Sequence, residues 1–276
     1  MNHNRNRCPS TLLTLCASII ALGLLLRADD KPGPAADADK KAETKPADAA
    51  KAEAKKYPDQ DPALGSLEGK VTFEGDPPRI DPKTIPANHQ DHAACVAHLK
   101  EERLLLGEKK ELKDVVVSVF GYKPAQKPKP REITLENKNC TYVPHVQATT
   151  AGSSVKITNS DKFIHNFHAS LALQKNVAIA PGGSQTEKLP REGWAVITCD
   201  FHTWMGAHIK VFGHDLFDVT GADGAFKIPN IPPGEHEIEL WHEYPVAPQK
   251  VKVKIEPGKA TRLDVALKSS VKATSK

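Results

Sequence analysis

"CDFHTWM" occupies residues 199–205. It places a thiol at Cys199, an imidazole at His202 and a thioether at Met205, spaced C-x2-H-x2-M. The stretch before it, "GWAVITC", alternates so that Ala195, Ile197 and Cys199 share one face of an extended strand. The stretch after it, "AHIKVFG", reads as a second strand. The three side chains thus sit on a loop that closes two neighbouring strands, and such a loop brings them round one point. The rest of the chain decides whether they hold an ion together.

Working outward, short strands between turns begin at about Leu67. "LEGKVTFEG" alternates, "DVVVSVFGY" is a continuous apolar run suited to a buried strand, and "EITLENKNCTYVPHVQA" and "SSVKITNS" follow. Prolines (22) and glycines (17) are plentiful and aromatics make up only 5%. This composition fits an all-β chain rather than a helical bundle. Only "DHAACVAHLKEERLLL" has partly helical character. The formal net charge is +4. Basic and aromatic residues are not interleaved, and no nucleic-acid-binding motif occurs, so a nucleic-acid partner is not expected.

Residues 1–28 read as a signal peptide or N-terminal anchor: two arginines, the apolar run "TLLTLCASIIALGLLL" and a small residue at Ala28. The run is short for a membrane span. Leu15 before Cys16 disfavours lipidation. Residues 29–64 are nearly all Ala, Lys, Asp, Glu and Pro, so they read as a flexible linker. If the N-terminus remains a membrane tether, the linker holds the folded part about 30 Å away. An exported chain follows, periplasmic or at the cell surface.

A soft thiolate, imidazole and a weak axial thioether suit copper electron transfer, provided a second imidazole joins them. "NSDKFIHNFHA" supplies it at His165, 34 residues before Cys199. In an extended strand Phe163, His165 and Phe167 share one face, and His168 points the other way. The run "SSVKITNSDKFIHNFHA" together with "CDFHTWM" resembles the type 1 copper proteins, the cupredoxins, and its short ligand loop is similar to that of amicyanin. The resemblance covers roughly residues 113–212. It implies a Greek-key β-sandwich and one copper ion on His165, Cys199, His202 and Met205. Ile164 and Thr203 stand where that family usually carries proline. The implied function is single-electron transfer with a redox protein such as a cytochrome c or a dehydrogenase. Four protein ligands leave no open position for a substrate, so an enzyme is not expected. Zinc suits the same thiolate and imidazoles. The plainest alternative is a buried cysteine and a core methionine beside two histidines.

Asn166 and Thr198 flank ligands and are expected to hydrogen-bond across the site. Cys95 and Cys140 are expected to form a disulfide in an exported chain. The rival is a second metal site of Cys95, His98, Cys140 and His145. His145 and His208 read as surface or supporting residues, with His208 three residues past Met205 at a possible exit for the electron. Trp204 is placed to pack over the site or form a docking patch, and His242 reads as structural.

From about residue 213 a second set of strands begins. "FDVTGADGAFKIPNIPPGEHEIELWHE" resembles the carboxypeptidase regulatory-like β-sandwich, over roughly residues 213–268. The expected organisation is therefore a cupredoxin domain with an N-terminal extension over residues 65–212, a second small β-sandwich over 213–268, and a frayed tail over 269–276. The second module would provide protein or carbohydrate contact, with Trp241 and Tyr244 its only aromatic platform. Two other functions fit: copper storage without an electron partner, and a surface-interaction module.

Overall fold

Alternation of apolar and polar side chains turns most of the folded chain into strands. The computed structural model describes residue 55, residues 57–244 and residues 246–270. The leader over 1–28, most of the linker and residues 271–276 lie outside the described residues. In chain order the strands are β1 (Gly65–Glu74), β2 (Val116–Val119), β3 (Glu132–Lys138), β4 (Thr141–Val143), β5 (Val146–Thr150), β6 (Ser154–Asn159), β7 (His165–Leu171), β8 (Lys175–Ile179), β9 (Ser184–Lys188), β10 (Gly193–Thr198), β11 (Gly206–Phe212), β12 (Phe217–Val219), β13 (Ala225–Ile231), β14 (Gly234–Trp241), β15 (Gln249–Ile255), β16 (Ala260–Arg262) and β17 (Val265–Lys268). Helix among the described residues is confined to one turn at His92–Cys95 and a 3₁₀ turn at Val96–His98. No helix there is long and apolar enough to cross a membrane. The protein is all-β.

An inner sandwich is built from two sheets, β5-β11-β10-β7-β8 and β4-β3-β6-β9. The sheets are mixed, because β5 runs parallel to β11 and β3 parallel to β6. Leu135, Tyr142, Val155, Ile157, Phe167, Ile197 and Ile209 fill the space between them, all fully or nearly fully buried. Burying each such aliphatic or aromatic side chain contributes about 1.5–3 kcal/mol.

An outer sandwich is assembled from both sides of that unit in sequence. β1 pairs with β13, β16 and β17, and β2 lies between β12 and β14, with β15 beyond. The sequence places β2 in the stretch ending at residue 212 and leaves the strand near Leu67, β1, open between the two units. Both pair with strands that follow residue 212. The physical reason is visible in β2, whose four residues are all buried. A strand covered on both faces needs neighbours on both edges and packing above and below. Val117 and Val119 enter the outer core with Leu67, Phe73, Ile228 and Leu240. Val116, on the opposite face, meets Val146 and Phe212 of the inner sandwich. The inner sandwich is therefore an insertion between β2 and β12. A reading that takes neighbours in sequence as neighbours in a sheet does not find this.

The last part of the expected linker is also tied down. Tyr57 donates its hydroxyl to Asp218 at 2.9 Å, and Asn230 holds both the Asp59 carbonyl and the Asp61 amide. At the other end Ser269, in the expected tail, bridges to Val246.

Candidate metal centre

The loop of residues 199–205 closes the β10–β11 hairpin, whose last pair is Thr198 with Gly206. Alternation along β10 buries Ala195 and Ile197 and carries Cys199 inward, 1% exposed. The Met205 amide donates to the His202 carbonyl at 2.9 Å, closing a turn that draws both side chains into the interior. Met205 lies in the same buried cluster as Cys199 and Trp204. β7 begins at His165, which is fully buried, while His168 turns outward to Asp200 at 2.7 Å.

Three of these side chains converge. The Cys199 Sγ stands 3.9 Å from His165 Nδ1 and 3.6 Å from His202 Nδ1. The two imidazole rings lie 4.5 Å apart. The far nitrogen of each ring is held by a carboxylate. His165 Nε2–H donates to Asp161 at 2.9 Å, and His202 Nε2–H donates to Asp91 at 3.1 Å. A carboxylate only accepts, so both protons are fixed on Nε2 and both Nδ1 lone pairs face the sulfur. A histidine–carboxylate pair of this kind orients a metal ligand and raises its basicity. An ion about 2.3 Å from sulfur and about 2.0 Å from nitrogen, with trigonal angles, would need the two atoms about 3.7 Å apart. The observed separations bracket that value. The donor set fits a copper ion, which His165, Cys199, His202 and the buried Met205 thioether would hold.

Burial lowers the basicity of both imidazoles, His202 also through His165, and it pushes the Cys199 thiol up. The metal-free site thus holds neutral histidines and a protonated thiol, and a metal ion displaces the thiol proton.

Asn166 reaches across the site in three ways. Its amide N–H points at Cys199 Sγ (3.5 Å), its side-chain oxygen accepts the Asp200 amide (2.6 Å), and its side-chain NH2 donates to Asp200 (2.9 Å). Thr198 does not reach the site. Its side chain is exposed and its hydroxyl meets the His168 carbonyl at 3.4 Å. Strand alternation gives the reason: with Cys199 inward, Thr198 faces out. Its carbonyl instead accepts the hydroxyl of Tyr142 at 3.0 Å, and that hydroxyl also meets the Asn166 carbonyl. Tyr142 therefore ties the two ligand-bearing strands together from beneath.

Asp91, Asp161 and Tyr142 are the supporting residues that motif reading misses. Asp161 was visible in the quoted run but carried no role. Asp91 lies 111 residues before His202, on a segment that Ile85 and Leu99 pack against the inner core. Cys95 and Cys140 are joined by a disulfide that anchors this segment. Their sulfurs are therefore not available to the second metal site weighed for Cys95, His98, Cys140 and His145. Trp204 is buried against His89 and His202, at 5.0 Å from each ring, so it packs over the site and presents no docking surface. Trp241 lies against Trp194, with ring centroids 3.8 Å apart and the planes tilted by 39°, between the two sandwiches, which removes it from any exposed aromatic platform. His242 is buried between the Tyr244 and Lys113 carbonyls.

No protein-family model matches the chain, and no curated protein matches it. Several solved structures resemble part of it. Amicyanin from Paracoccus versutus is 16% identical, covering 35% of this chain and 97% of its own, with a TM-score of 0.27. A purple cupredoxin from Nitrosopumilus maritimus is 22% identical, covering 30% and 99%, also with a TM-score of 0.27. A copper-containing nitrite reductase from Thermus scotoductus SA-01 is 20% identical, covering 34% of this chain but only 25% of its own, with a TM-score of 0.26.

Proposed function

We propose that the inner sandwich is a cupredoxin-type copper domain that carries single electrons between redox proteins outside the cytoplasm. The observation that carries this reading is the pair of imidazoles whose Nδ1 atoms face Cys199 while Asp161 and Asp91 hold their opposite sides. Copper supplies a one-electron couple between its two oxidation states. The chain's part is to keep the donors still. The β10–β11 hairpin fixes Cys199 and His202, the two aspartates fix the rings, and Asn166 and Tyr142 lock β7 against the loop. Donors held in this way move little when the charge at the site changes, which keeps the barrier to electron transfer low. The Asn166 amide facing Sγ and the apolar surroundings tune the potential.

The Cys95–Cys140 disulfide and the apolar leader support export to an oxidising compartment, with a cytochrome c or a dehydrogenase as partner. The outer sandwich, whose residues 213–268 resemble a carboxypeptidase regulatory-like module in sequence, would act as a spacer or a docking surface. One observation favours a second reading. His165, Cys199, His202 and Met205 are all at most 2% exposed, as suits a protein that holds copper without an electron partner. NMR of a mixture of the copper(I)- and copper(II)-loaded chain separates the two. Electron transfer predicts lines near the site that broaden and average as concentration rises. Separate lines that concentration leaves unbroadened would overturn it in favour of storage.

A further inference from the structure

A second group of metal-ligating side chains lies outside the copper site, where the two sandwiches meet. His145 precedes β5 and is 4% exposed, His208 projects from β11, and Glu243 follows β14 of the outer sandwich. One ligand atom from each lies within 4.8 Å of the others. The Nε2 of His145 meets one oxygen of Glu243, and the Nε2 of His208 lies 3.3 Å from the other.

The hydrogen bonds show what is unusual here. His145 Nδ1 lies 2.9 Å from the Gly206 carbonyl, which only accepts, so Nδ1 carries a proton. Nε2 faces a carboxylate, which also only accepts. A neutral imidazole has one proton and cannot serve both. Either the ring is an imidazolium or a cation takes the place of the Nε2 proton. The Gly206 contact fixes the ring so that Nε2, facing Glu243, is the atom available as a ligand, as a supporting bond does in metal centres. Two further carboxylates, Glu102 and Asp114, act on His145, so the region suits a positive ion. The His208 ring lies 5.7 Å from that of Trp241 and 5.9 Å from that of His145.

We propose that His145, His208 and Glu243 form a second metal site, taking a borderline divalent ion of the zinc or copper(II) class, which braces the inner sandwich to the outer one. Two imidazoles and a carboxylate are a donor set for such ions. Because Gly206 follows Met205 directly, the ion would also steady the end of the copper loop. This site does not depend on the copper reading, since it shares no ligand with it.

The test uses the full chain loaded with one equivalent of copper and dialysed against zinc(II). One zinc per chain is expected to bind without altering the thiolate-to-copper absorption. Glu243→Gln and His208→Gln, both able to keep hydrogen bonds, are each expected to weaken zinc binding by about tenfold or more. If Glu243→Gln does not fold, as judged by circular dichroism, His208→Gln decides alone. Failure to bind zinc, or equal affinity in the folded variants, would overturn the proposal. If the chain binds no copper at all, the same zinc titration on Cys199→Ser still reads the second site by itself.

Discussion

Replacing both Cys95 and Cys140 by serine is expected to lower the unfolding free energy by about 4 kcal/mol. The bridge closes a loop of 45 residues, and the chain entropy released in the unfolded state when such a loop opens gives that magnitude. Cys95 ends the helical turn His92–Cys95, and Cys140 sits between β3 and β4. The bridge thus pins to the inner sandwich the segment that brings Asp91 to His202 and His89 against Trp204. A second effect follows from this anchoring. With the segment loosened, the His202 ring loses its fixed carboxylate, and copper affinity is expected to fall by about tenfold or more. Chemical denaturation checks the first effect and competition with a copper chelator the second. An unchanged denaturation midpoint would show that the segment is held by its packing alone.

Gly69→Ala is expected to cost about 3 kcal/mol or more and to act on the outer sandwich. An added Cβ at Gly69 would stand 1.8 Å from the Leu263 carbonyl oxygen and 2.5 Å from its carbon. Both are backbone atoms, so no side-chain rotation relieves the clash. β1 would have to part from the chain between β16 and β17. The bonds from the Leu263 amide to the Glu68 carbonyl and from the Lys70 amide to Asp264 would then break. Overpacking of a filled core usually costs about 1–3 kcal/mol, and a backbone clash lies at or above the top of that range. Denaturation monitored beside the copper absorption locates the damage. A loss of stability under about 1 kcal/mol would contradict the packing of β1 against residue 263.

The sequence reveals the elements that depend on short-range pattern. Ala195, Ile197 and Cys199 alternate on one strand, and that alone aims the thiol inward. Phe163 and Phe167 pick out His165 over His168 by the same period. Alternation also exposes Thr198, so its assignment as a supporting residue conflicted with the period that placed Cys199. What stays hidden depends on distant pairing. Nothing local to β1 or β2 indicates that their partners lie beyond residue 213. Asp91 is one acidic residue in a polar segment until folding brings it to His202. The same holds for Glu243, whose meeting with His145 spans 98 residues and two sandwiches.

Cys199, with His165, His202 and Met205, is expected to bind copper through its sulfur. Visible absorption during titration of copper(II) into the purified full chain tests this most directly, with Cys199→Ser as control. The predicted result is an intense thiolate-to-copper band that saturates at one equivalent and is missing from the variant. A chain that stays colourless, or a band that survives Cys199→Ser, would contradict it.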